Sequence, residues 1–137
     1  MQASNATFKI LISPTPLVGP DRPKKNDNYA NEGYYHEGEM LRKFVEQQKM
    51  YVVNGDRHWQ YSSKDAETGL LEFGCGPVSN EHAGGWDQGD KRPEHLYVNV
   101  VGGYLEVNVI HSQDRPSIVF THRSVDGKTL FEYKPIV

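Results

Sequence analysis

The chain has 137 residues, enough for one domain with its own core, although 36% hydrophobic is modest for that purpose. With 15 basic and 18 acidic residues the net charge is −3, which excludes the cationic excess used to bind a nucleic-acid backbone. No apolar run approaches the roughly 18 residues of a membrane span, and the single cysteine, Cys75, cannot form an internal disulfide.

No secretory signal opens the sequence. Residues 1–6, with Ser4-Asn5-Ala6, resemble the remnant of a cleaved expression tag and are set apart from residues 7–137. Residues 7–13 (Thr-Phe-Lys-Ile-Leu-Ile-Ser) read as a strand, ended by Pro14 and Pro16, which cannot donate to a ladder. Residues 17–33 are polar and broken by glycine and proline, which predicts a long surface loop. A loop this long with no structure of its own is uncommon unless it is functional or disordered.

Residues 37–49 predict the one clear helix, with Met40, Leu41, Phe44 and Val45 as its apolar stripe. Glu39–Lys43 and Arg42–Glu46 are spaced to pair along it. Next comes Met-Tyr-Val-Val-Asn-Gly-Asp-Arg-His-Trp-Gln-Tyr, residues 50–61. A short apolar run ended by Asn54-Gly55 reads as a buried strand, with Gly55 taking the positive φ of a sharp turn. Asp56, Arg57 and His58 then stand at its C-terminal edge, where α/β folds place ligand-binding groups. The same Asn-Gly is also a strong hairpin signal that needs no function.

Beyond this stretch, residues 59–63 and 70–75 predict a hairpin around a polar loop. Residues 76–92 form a second long loop. Residues 95–101 and 104–111 predict a hairpin turning at Gly102-Gly103, and residues 117–123 and 129–134 another turning at Asp126-Gly127. The fold class is α/β with α+β character: a strand–helix–strand opening followed by mostly antiparallel hairpins, with one clear helix.

No His-x-x-x-His pair, P-loop, G-x-S-x-G or G-x-G-x-x-G occurs. His95, His111 and His122 lie in hairpins and read as structural, while His36 and His82 lie in the long loops, where function concentrates. Cys75, between two glycines, reads as an inert thiol. Trp59, Tyr61, Trp86 and Tyr97 are candidates for a stacking platform, with Tyr61 and Tyr97 better placed as core.

The blocks Val53-Asn54-Gly55-Asp56-Arg57-His58-Trp59-Gln60-Tyr61, Glu67-Thr68-Gly69-Leu70-Leu71-Glu72-Phe73-Gly74-Cys75-Gly76-Pro77 and Glu81-His82-Ala83-Gly84-Gly85 resemble the C-terminal part of the PhoD-like metallophosphatases, the alkaline phosphatase D family. Ile12-Ser13-Pro14-Thr15-Pro16, Gly19-Pro20-Asp21-Arg22 and His36-Glu37-Gly38 extend the resemblance over nearly all of residues 7–137. The resemblance implies the C-terminal part of a four-layer α/β/β/α metallophosphoesterase sandwich acting on phosphate esters with two metal ions, divalent or trivalent. It implies His58 as a metal ligand and Asp56 as a second. Asp21, Arg22, Asn28, His36 and Arg57 are its substrate-side residues, and Tyr29 stands where close relatives carry a histidine. Such proteins are often secreted or periplasmic.

The superfamily's earlier motifs Gly-Asp-x-x-Asp and Gly-Asn-His-Asp/Glu do not occur. The expectation is therefore a portion of a phosphoric ester hydrolase that is inactive alone and binds metal weakly or not at all. Apolar surface left open by missing partner structure would allow a homodimer. The contrasting expectation is a stand-alone, non-catalytic β-rich binding or structural module.

Overall fold

Lys9–Ser13 (β1) lies parallel to Met50–Asn54 (β2), with Ile10 beside Tyr51 and Ile12 beside Val53. Parallel neighbours need a crossover, and the helix Tyr35–Gln47 (α1) supplies it. This computed structural model describes residues 4–111 and 115–136. Residues 1–3 of the expected tag remnant therefore lie outside the described residues.

The next strands are Gln60–Lys64 (β3), Leu71–Cys75 (β4) and His95–Asn99 (β5). They complete a five-stranded sheet in the order β1-β2-β4-β3-β5. Gly103–Ile110 (β6), Ser117–Ser124 (β7) and Thr129–Tyr133 (β8) form a second, antiparallel sheet. The architecture is mixed α+β, two sheets and a helix. No helix among the described residues is long and apolar enough to cross a membrane.

The first sheet is covered on both faces. On one, Val45 of α1 packs with Leu17, Met50, Val52 and Leu70. On the other, Leu71 and Phe73 meet Ile118 and Phe120 of the second sheet, and the rings of Phe73 and Phe120 stack with centroids 3.9 Å apart. This double cover explains the apolar run Met50–Val53 in β2 and the burial of Leu71 to Gly74 in β4, where Glu72 is the one charged side chain. A buried side chain of this size contributes about 1.5–3 kcal/mol, so each face is a core in its own right.

Several expectations change. Asn54-Gly55 is no hairpin, because β4 lies between β2 and β3, and β2 pairs in parallel with both neighbours. Val52 is fully buried, as an interior strand requires. Gly102-Gly103 is not a hairpin either: β5 and β6 belong to different sheets, and the pair carries the chain between them. The glycines are there for close approach. A Cβ on Gly103 would lie 1.8 Å from the Arg123 carbonyl oxygen, and one on Gly102 2.4 Å from the Ser79 backbone.

On α1, Met40 is exposed, and Gly38, Arg42 and Val45 form the buried face. Arg42 makes no i,i+4 pair with Glu46. It binds Glu39 at 2.7 Å and donates to the carbonyls of Leu17 and Tyr29. The segment 17–33 is not simply a surface loop, since Leu17, Asp21, Asn28 and Asn31 are buried. The β3–β4 and β7–β8 hairpins form as expected, the latter turning through Gly127 at φ +80°. Tyr61 is fully buried, Tyr97 stacks on Phe131 at 4.7 Å, and burial pushes the Cys75 thiol up, as an inert thiol requires.

Candidate functional site

β2 ends at Asn54, and the chain turns through Gly55 and Asp56. The positive φ falls on Asp56 (+66°) and not on Gly55. Asp tolerates the left-handed region better than most residues because its short carboxylate bonds locally. Here that carboxylate pairs with Arg57 next to it, and the Arg57 amide closes a tight turn to the Gly55 carbonyl at 2.8 Å.

Arg57 turns inward. Its Nη2 lies 2.6 Å from Asp21 and 3.0 Å from Asp27, and its Nη1 pairs with Asp56. Asn28 donates to the same Asp21 carboxylate at 2.7 Å. A buried guanidinium must have anionic partners, and three carboxylates on two segments meet that need. Asp21, Asn28, Arg57 and Asp56 thus come together, with Arg57 tying the 21–28 segment to the end of β2.

The 17–19 backbone is held from the sheet side. Glu72, fully buried on β4, accepts from the amides of Leu17, Val18 and Gly19 at 2.6, 2.8 and 2.9 Å. Its fourth donor is the Tyr61 hydroxyl at 2.8 Å, itself held by Asn54 Nδ2 at 2.8 Å. Burial raises the Glu72 carboxyl above its ordinary range, although these four hydrogen bonds pull the other way.

Above this scaffold lies an open cleft of about 470 Å³, lined by Arg22, Lys25, Asp56, Arg57, His58 and Trp59 on one side and residues 81–85 on the other. The Gly84 amide donates to the His58 carbonyl at 2.9 Å, which fixes the second wall, with Glu81 and His82, opposite the first. Arg22 lies over the Trp59 ring at 5.2 Å, and Trp59 stacks on Trp86 at 5.2 Å. The basic side chains on the lining are Arg22, Lys25, His58 and His82, together with Arg57; Arg57 is held by three carboxylates, whereas Arg22 and Lys25 each have a single aspartate within 4 Å among the described residues.

His58 is exposed at the cleft and Asp56 stands beside it, so the two expected metal ligands share a lining. The Asp56 carboxylate is engaged by Arg57, however. Among the described residues no three His, Cys, Asp or Glu side chains converge as a metal site. A catalytic metal takes about three protein ligands, so these residues do not complete such a centre on their own. His36 lies exposed in the first turn of α1 and does not line the cleft.

Asp27 and Glu72 carry much of the arrangement without having drawn attention in the sequence. Glu72 had a signal: it is a lone carboxylate in the run Leu-Leu-Glu-Phe-Gly-Cys. Asp27, inside Lys-Lys-Asn-Asp-Asn, had none. Compared with known proteins, the chain matches no protein-family model, and no curated protein sequence matches it.

Proposed function

We propose that this chain is the C-terminal portion of a metal-dependent phosphoric ester hydrolase of the alkaline phosphatase D type, and that its cleft forms one wall of the active site. The supporting observation is the convergence of Arg22 and Lys25, residues 56–59 and residues 81–85 on a single cleft at the C-terminal edge of an interior parallel strand. That is where open α/β sheets bind ligands. Arg22, Lys25, His58 and His82 would hold the phosphoryl oxygens, with Arg57 and Asp21 as the buried brace behind them. The metal ions of the complete enzyme would take most of their ligands from outside this chain. The two sheets would then be the inner layers of a four-layer α/β/β/α sandwich.

The test has two arms. Inorganic phosphate titrated into the chain should shift the ring resonances of His58 and His82, and Arg22→Ala should weaken the binding. Aryl phosphate mono- and diesters, assayed with added manganese, calcium, iron or zinc, should show no turnover. Absence of phosphate binding would overturn the cleft assignment. Metal-dependent turnover lost in His58→Ala would show that the chain builds its own active centre.

The outer edge of β1 is part of the same reading. β1 has one charged residue, Lys9 at its start; Ile10 to Ile12 are apolar, and Ile12 is 81% exposed. An edge strand with exposed apolar residues invites pairing, and for the isolated chain the proposed partner is a second copy of itself.

A further inference from the structure

Asp27 stands behind two residues of the cleft lining, Lys25 and Arg57. Its carboxylate accepts from Arg57 Nη2 at 3.0 Å and lies 3.4 Å from Lys25 Nζ, and both donors belong to cleft residues. Asp27 also lines a second hollow of about 280 Å³, together with Pro14, Thr15, Asn28, Tyr29 and Tyr34. The two sites therefore share one wall, the Asp27–Arg57 ion pair.

The hollow differs chemically from the cleft. The rings of Tyr29 and Tyr34 meet edge to face, with centroids 6.3 Å apart and planes at 74°. Among the described residues Asp27 is the one charged side chain on its lining. Burial works against that charge, but hydrogen bonds from Asn28 and Arg57 and the positive charge of Arg57 and Lys25 hold the carboxyl below its ordinary range. The anion is matched on the cleft side, which leaves two rings, a proline, a threonine and Asn28, whose amide is engaged by Asp21 and Ala30, for the hollow. Its volume exceeds the about 150 Å³ that accommodates a benzene molecule.

We propose that the hollow receives a flat apolar substituent of the phosphate ester, an aryl group or one of that shape, while the phosphoryl group lies across the Asp27–Arg57 pair in the cleft. The assignment rests on the phosphoester reading above and narrows it to esters with an aromatic-sized group next to phosphorus. Two tyrosine rings at right angles offer a face and an edge to a third ring, an arrangement favoured by the aromatic quadrupole.

The experiment is calorimetric titration of the chain with inorganic phosphate, methyl phosphate and phenyl phosphate. Phenyl phosphate should bind about tenfold more tightly than methyl phosphate, the scale of one well-placed aromatic contact. Tyr34 is 44% exposed, so Tyr34→Ala should leave the fold intact. That variant should bring phenyl phosphate down to the affinity of methyl phosphate, and Tyr34→Phe should keep the preference. If inorganic phosphate binds but the two esters bind alike, the inference is overturned and the phosphoester reading stands. A preference that survives Tyr34→Ala also overturns it. Failure of all three ligands to bind overturns both.

Discussion

The guanidinium of Arg57 stands 2.6 Å from the carboxylate of Asp21, and the two side chains are 1% and 0% exposed. Removing one partner of such a pair strands the other charge in a dry site, at a cost of about 3–5 kcal/mol. Asp21→Ala should therefore lower the urea midpoint sharply, despite the help Arg57 draws from Asp27 and Asp56. The exposed pair Arg92–Asp90 is the control, and Asp90→Asn should leave the midpoint unchanged. Equal midpoints for both variants would refute the role assigned to the buried pair.

Glu72 predicts a change that hydrogen exchange can read directly. Its carboxylate is the acceptor for three successive amides, those of Leu17, Val18 and Gly19. Glu72→Gln replaces one acceptor oxygen with a donor and leaves a buried group unsatisfied, which costs about 1–3 kcal/mol. The three amides should exchange faster in this variant while those of β7 stay protected. Unchanged protection at Leu17 to Gly19 would mean that the segment is held by something else.

His122 makes stability depend on pH. It is fully buried between the sheets, with Nε2 3.0 Å from Ser62 Oγ and its ring against Tyr97. Burial pushes its pKa from 6.5 down to about 4. The unfolded chain therefore takes up this proton at higher pH than the folded chain. Stability is whole above 6.5 and falls as pH drops toward 4, by about 3 kcal/mol in all. Urea unfolding measured between pH 7 and 4 should show this slope, and His122→Gln should flatten it. A variant with the same slope as the parent would exclude His122 as the source.

The edge of β1 can be tested by sedimentation equilibrium. Self-association through Ile10 and Ile12 should be weakened by Ile12→Lys, since a charge on an edge strand opposes pairing. The unmodified chain remaining monomeric at high concentration would remove the dimer.

The strand–helix–strand opening was legible because each element carries its own signal: an apolar run, a 3.6-residue stripe and a turn after Asn54. The position of Asp56 and His58 at the edge of β2 followed from that order. What the sequence left hidden depends on contacts between distant segments. Gly102-Gly103 has the composition of a tight hairpin, and only the crowding against Arg123 and Ser79 shows its other use. Met40 has the right spacing for the helix stripe, yet Arg42 is the residue drawn inward, because two carbonyls of the 17–29 segment await its guanidinium. Residues 17–33 read as solvated because the groups that bury them, Glu72 and Arg57, lie far along the chain.

That separation has a consequence for synthesis. Glu72 lies 55 residues beyond Leu17. At about 5–20 residues per second, the ribosome takes roughly 3–11 seconds to deliver the carboxylate after the amides that need it. Throughout that interval water, and not Glu72, is the acceptor for these amides. The segment's charged side chains, among them Asp21, Arg22, Lys24, Lys25 and Asp27, keep it in water while it waits. The polarity that made this stretch look like a loop therefore serves the nascent chain before it serves the folded one.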